Sequence, residues 1–159
     1  MPINGESAQT LVRRLAQNKA RKVAERRTAA IVIGSDQVAS LGKAFLTKPV
    51  THENARMQLI RLSNQHVCFN TGLCVINTET QSVQVDCILY YVKFRMLENI
   101  EIERYLLTEH PYDCAGGFKS EGLGISLIAE MQGNDPTALT GLPLIRLCEM
   151  LRAEGIQLP

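Results

Sequence analysis

Ile31-Val32-Ile33-Gly34-Ser35-Asp36-Gln37-Val38 is the stretch that decides the fold. Its first residues are apolar and β-branched, a composition that suits a strand buried on both faces in the middle of a mixed sheet. The apolar run stops at Gly34-Ser35-Asp36, so Asp36 is expected at the strand's end. An aspartate leaving such an end lies where α/β sheets hold their ligands. Taken alone, it reads more simply as a turn residue capping local amides.

Upstream, Ser7 is an expected N-cap for a helix running to about Arg27, because a serine hydroxyl accepts from the free amides of a first turn. Leu11, Val12, Leu15, Ala16, Ala20 and Val23 recur at helical spacing. Lys19 falls on that apolar face, with Leu15, Ala16 and Val23 one turn away. Two readings stand: the ammonium snorkels to the rim, or it points into a cleft and holds an anion.

Downstream, Leu41 to Pro49 reads as a small hairpin or extended loop, and Thr51 caps a helix to about Leu62. His66 to Asn77 and Ser82 to Phe94 are β-prone and separated by the polar turn 78–81, which predicts a β-hairpin. Glu98 to Thr108 is helical and ends before His110-Pro111, since the residue before proline disfavours the α region. Cys114 to Gly124 is a glycine-rich loop, and Ile125 to Met131 is a strand. Asp135-Pro136 opens a helical region to about Ala153 in which Pro143 marks a kink or a second helix start. No repeat or linker interrupts the chain, so a single α/β domain over residues 1–159 is expected.

The composition narrows the function classes. At 159 residues, 45% hydrophobic and 21% charged, the chain can bury a core without staples. No apolar run reaches the roughly 18 residues of a membrane span, and the first residues lack a signal-peptide pattern; the cytoplasm is the expected compartment. Cys68, Cys74, Cys87, Cys114 and Cys148 are odd in number and form no C-x-x-C pair, which argues against a disulfide framework and a zinc site; Cys68 and Cys74 share a parity on one strand and are expected as small buried hydrophobes. His52, His66 and His110 are too dispersed for a metal cluster. Residues 1–30 carry seven Lys/Arg against two acids, read either as a solvated helix face or as a wall beside an anionic ligand. Without aromatics among them, a nucleic acid polymer is the weaker partner.

Spacing excludes two phosphate-handling schemes. Phe118, not glycine, precedes Lys119-Ser120, so there is no Walker A loop, and Val38 stands where an aspartyl-phosphate enzyme has its second acid. What remains is an ordered pattern: Leu15-Ala16-x-x-Lys19-Ala20, Ile33-Gly34-Ser35-Asp36-Gln37-Val38, Lys48-Pro49-x-x-x-Glu53-Asn54-Ala55, Thr71-Gly72, Phe94-Arg95, Cys114-Ala115-Gly116-Gly117-Phe118-Lys119-Ser120-Glu121-Gly122 and Gly141-Leu142-Pro143-Leu144. In this order it resembles the Maf family of nucleoside triphosphate pyrophosphatases, and Ser35-Asp36-Gln37 with Phe118-Lys119-Ser120-Glu121-Gly122 resembles the subfamily acting on 7-methyl-GTP.

The resemblance implies a single mixed, twisted sheet flanked by helices, of the Maf and ITPase type. It also implies cleavage between the α and β phosphates with a divalent cation, Mg²⁺ or Mn²⁺, in the house-cleaning of modified nucleotides. Asp36 matches the family's proton acceptor, Gln37 and Glu121 match positions that discriminate the base, and Lys19 and Lys48 match lysines near the phosphates. Asp36 is open to two roles, base toward water or ligand of the metal, and the metal ligands are otherwise unassigned. Family subunits often pair, which implies a homodimer without marking an interface. The family pattern opens with a strand, a Ser-x-Ser-Pro-x-Arg-Arg loop and a Val-Asp-Glu segment that this sequence does not contain. The corresponding expectation is a truncated chain that is weakly active and poorly soluble. The alternative is a non-catalytic homologue that at most binds nucleotides.

Overall fold

Successive side chains of a strand face opposite sides of the sheet, and that rule sorts every residue of the decisive stretch. The computed structural model describes Ile3 and residues 5–159. It contains a five-stranded sheet of order β2-β1-β3-β4-β5, with β1 at Ile31–Leu41, β2 at Ala44–Leu46, β3 at His66–Asn77, β4 at Val83–Phe94 and β5 at Ile128–Gln132. The helices are α1 (Ala8–Ala24), α2 (His52–Leu62), α3 (Asn99–Glu109) and α4 (Leu144–Ala153). The α/β class is as expected; β1 pairs antiparallel with β2, and β4 antiparallel with β5.

Contacts gather into two compact units. The first comprises the described residues up to Gln37, with 70–89 and 134–159; the second comprises 38–69 and 90–133. In the first unit, Ala16 and Ala20 of α1 pack on Val32, Cys74 and Ile76. Leu147 and Met150 of α4 pack on Leu73 and Val75. The odd and even residues of β3 therefore serve different helices, as the two-residue period requires. Ser7 caps α1 through its hydroxyl, as its sequence position predicts.

In the second unit α2 buries Ala55, Leu59 and Leu62, and α3 buries Ile102, Tyr105 and Leu106. Phe118 stands against Phe69 and Phe94, with ring centroids 5.8 and 5.3 Å away, so the glycine-rich loop is anchored by an aromatic cluster.

Several boundaries differ from expectation. β1 continues to Leu41, so Asp36 lies inside the strand and not at its end. Nor is β1 buried on both faces, because Ile33 is 43% exposed. The polar residues remain in the strand because each finds a side-chain or carbonyl partner. A two-residue turn ends it instead: Leu41 pairs with Ala44, and Gly42 takes φ 58°, which glycine adopts without the Cβ penalty. Residues 123–127 form a 3₁₀ turn, which delays the following strand to Ile128. Pro143 is a helix start, preceding α4.

Candidate functional site

Two glycines let a helix rest directly on the strands of the first unit. A Cβ on Gly34 would sit 2.3 Å from the Ala16 carbonyl oxygen, and one on Gly72 would sit 2.2 Å from that of Val12. Asp36 is two residues beyond Gly34 and so shares the face against α1. There it meets Lys19. The Lys19 ammonium donates to the Ser35 carbonyl at 3.0 Å and is ion-paired with Asp36 Oδ1. The Lys19 side chain is 59% exposed, as a snorkelling ammonium is, and it reaches a carboxylate that is only 19% exposed. An ammonium has three N–H donors. With two engaged, the third is available to an anion.

Ser35 and Gln37 face the other way. Ser35 Oγ lies 2.8 Å from the Gly72 carbonyl and 2.7 Å from that of Gly141. Gln37 Nε2 is 3.0 Å from Thr71 Oγ1, 2.8 Å from the Ala138 carbonyl and 3.1 Å from that of Leu139. The fully buried Thr71 hydroxyl donates in turn to Ala138 at 2.8 Å. The Gln37 amide nitrogen thus ties segment 136–140 to the sheet, leaving Oε1 as the polar atom it can offer a ligand. Asp135, 3% exposed, completes this anchor by accepting from the amides of Thr137 and Ile145. Sequence reading did not find Thr71 or Asp135 as anchors; the Asp-Pro pair marked only a helix opening.

Lys48 and Glu121 belong to the second unit. Lys48 lines a cavity of about 340 Å³ with Pro49, Asn54, Gln58 and Arg61. Asn54 donates through its side chain to the Pro49 carbonyl at 3.1 Å and so fixes the turn that carries Lys48. Glu121 is exposed and accepts from the Ser120 hydroxyl at 3.1 Å. The loop around it rests on α3. Glu109 accepts from the Leu123 amide at 2.7 Å and pairs with Lys119 Nζ at 2.9 Å, while Tyr105 Oη accepts from the Lys119 amide at 3.2 Å. The Leu123 N–H first, and the Lys119 ammonium with it, hold the Glu109 carboxyl below the usual carboxylate range. Glu109 in turn raises the Lys119 ammonium, and burial raises the Tyr105 phenol.

None of the five cysteines is in a disulfide. Burial, with Asp113 adding to it, pushes the Cys114 thiol up to about 11, which keeps it protonated and poorly nucleophilic at neutral pH. Among the described residues no three His, Cys, Asp or Glu side chains gather to cage a metal. Asp36 offers a single carboxylate, and Mg²⁺ is commonly held by one or two carboxylates together with substrate phosphates. The residues present fit that shared arrangement rather than an all-protein cage. No described helix is long and apolar enough to cross a membrane.

The family model described as Maf-like protein matches residues 2–154. A protein of Pseudomonas fluorescens named 7-methyl-GTP pyrophosphatase is 54% identical over 97% of this chain and 80% of its own length. One of the same name from Methylobacillus flagellatus is 54% identical over 98% and 81%. Another from Nitrosococcus oceani is 51% identical over 97% and 77%. The motifs that surround Asp36 are therefore part of a similarity that runs nearly end to end, and the chain belongs to the Maf family.

Proposed function

We propose that this chain is a nucleoside triphosphate pyrophosphatase that hydrolyses 7-methyl-GTP to 7-methyl-GMP and pyrophosphate, acting on modified nucleotides in the cytoplasm. The observation that carries the reading is the Lys19–Asp36 pair, which joins a half-buried carboxylate to an ammonium with a donor to spare. The name shared by relatives 54% identical supports the substrate.

In this reading water attacks the α-phosphorus, a P–O bond forms there, and the bond to the bridging α–β oxygen breaks. Asp36 takes the water's proton, and pyrophosphate departs with the electron pair. Negative charge accumulates on the leaving pyrophosphate, and the ammoniums of Lys19 and Lys48 offset it. A divalent cation, Mg²⁺ or Mn²⁺, would be held by Asp36 with triphosphate oxygens, and when bound it supplies charge neutralisation and a more acidic water. Glu121 is the base-reading carboxylate: it accepts from the N1–H and amino group of guanine, and its charge favours the cationic 7-methylpurine. Gln37 contributes Oε1 as a second acceptor.

Incubation with 7-methyl-GTP in heavy-oxygen water tests the reaction. Equal yields of pyrophosphate and 7-methyl-GMP are expected, with the label in the monophosphate. Orthophosphate as the product, or label in pyrophosphate, would contradict cleavage by attack at the α-phosphorus. Nucleotide binding with no product would fit the non-catalytic alternative.

A further inference from the structure

Glu109 is an unfavourable residue for the place it occupies. It is the last residue of α3, where the partial negative charge of a helix C-terminus disfavours a carboxylate. Its side chain is nonetheless only 11% exposed and folded into the loop 119–124. One carboxylate oxygen accepts from the Leu123 amide at 2.7 Å, and the other meets the Lys119 ammonium at 2.9 Å. One turn back on the same helix face, Tyr105 accepts from the Lys119 amide. Glu121 lies between these two attachment points. Two glycines let the loop come close to these contacts. A Cβ on Gly122 would lie 2.5 Å from Glu109 Oε2, and one on Gly124 would lie 2.3 Å from the Lys119 carbonyl. The Glu121 side chain is exposed and accepts from the neighbouring Ser120 hydroxyl, a contact within the same loop, so its position follows the backbone that Glu109 grips.

We infer that Glu109 is a positioning residue: by holding both flanks of Glu121 it sets where that carboxylate stands, and with it the preference for the nucleobase. The inference rests on the base-reading role given to Glu121 above. A grip of two charge-assisted contacts on a short loop restricts it far more than the exposed Ser120–Glu121 contact does. Lys119 then acts as a strut, its ammonium joining the start of the loop to Glu109.

The test compares 7-methyl-GTP with UTP in the full chain and in E109Q, E109A and K119Q. In E109Q the ratio of the two kcat/KM values is expected to fall about tenfold, the effect of a lost charged hydrogen bond. The fall should come from a raised KM for 7-methyl-GTP, with kcat changed by less than about twofold because the reacting atoms are untouched. E109A, which leaves the Leu123 amide without an acceptor, should fall further, and K119Q less. Exchange of the Leu123 amide hydrogen should quicken about tenfold in E109Q, as the same contact is weakened. A merely structural role would lower the melting temperature and the active fraction for both nucleotides alike; an unchanged ratio therefore overturns the inference. If the unaltered protein prefers neither nucleotide, the role of Glu121 fails and carries the inference with it. A preference that survives every substitution refutes Glu109 alone.

Discussion

Replacing Gly34 by alanine adds one methyl group where α1 rests on the sheet. Its Cβ would lie 2.3 Å from the Ala16 carbonyl oxygen, 2.8 Å from the Ala20 amide nitrogen and 2.9 Å from the Ala20 Cβ. Ordinary contact begins at 3.4 Å, so the helix must retreat by about 1 Å, and these neighbours are mostly backbone that cannot rotate aside. Overpacking of this kind costs about 1–3 kcal/mol. Alanine returns about 0.4–1 kcal/mol by narrowing the unfolded ensemble. A net loss of about 1–2 kcal/mol lowers the melting temperature of a chain this size by about 2–8 °C. The same retreat carries Lys19 away from Asp36, and a displacement of about 1 Å at a reacting centre can cost about 100-fold in rate. Circular dichroism melting and pyrophosphate release from 7-methyl-GTP, measured on one preparation, read both effects. A melting point within about 1 °C of the unaltered protein, together with unchanged kcat/KM, would refute the close helix–strand contact and its link to Asp36.

Lys19→Met should leave the melting temperature nearly unchanged, since an exposed ion pair contributes about 0–1 kcal/mol, while kcat/KM for 7-methyl-GTP falls at least tenfold, roughly the value of one charged contact; equal losses of stability and activity would contradict this. Gln37→Leu removes the donor shared by Thr71, Ala138 and Leu139 and should destabilise by about 1–3 kcal/mol in urea titration; no shift in the midpoint would count against the anchor. Acid should unfold the chain through its lowered carboxylates. Arg14 holds Glu6 at about 2, Arg95 lowers Glu101, and Ser82, with Asn77 and Gln84, lowers Glu154. A group lowered on folding adds stability that is present above its unfolded value of 4.5 and lost as pH falls through its folded value. Urea midpoints should therefore hold at neutral pH and decline below 4.5 toward 2; a rise on acidification would be inconsistent with these partners.

Much of the fold was legible because the sequence obeys simple periods. Leu11, Val12, Ala16 and Ala20 announced α1, and the two β-prone runs about residues 78–81 announced β3 and β4. The middle of β1 was misread because Ser35-Asp36-Gln37 looks like a strand end. In the folded chain Ser35 and Gln37 are satisfied by Gly72, Thr71 and residues 138–141, partners more than thirty residues distant that no local pattern reveals. The pairing of Lys19 with Asp36 was half visible: helical spacing put the lysine on the apolar face, but only the glycine contacts at Gly34 and Gly72 explain why it arrives at the aspartate. Glu109 gave no signal at all, since a glutamate before His-Pro looks like any helix end. The close approach of its carboxylate to Gly122 is a property of the folded loop.

In the proposed reaction Asp36 takes part in breaking the α–β bond of the nucleotide. Single-turnover release of pyrophosphate from 7-methyl-GTP, compared between the unaltered chain and Asp36→Asn, tests it most directly. The rate is expected to be at least about 100-fold lower in the variant, the usual contribution of a positioned general base, with 7-methyl-GTP still bound. Pyrophosphate release at the same rate from both proteins would contradict it.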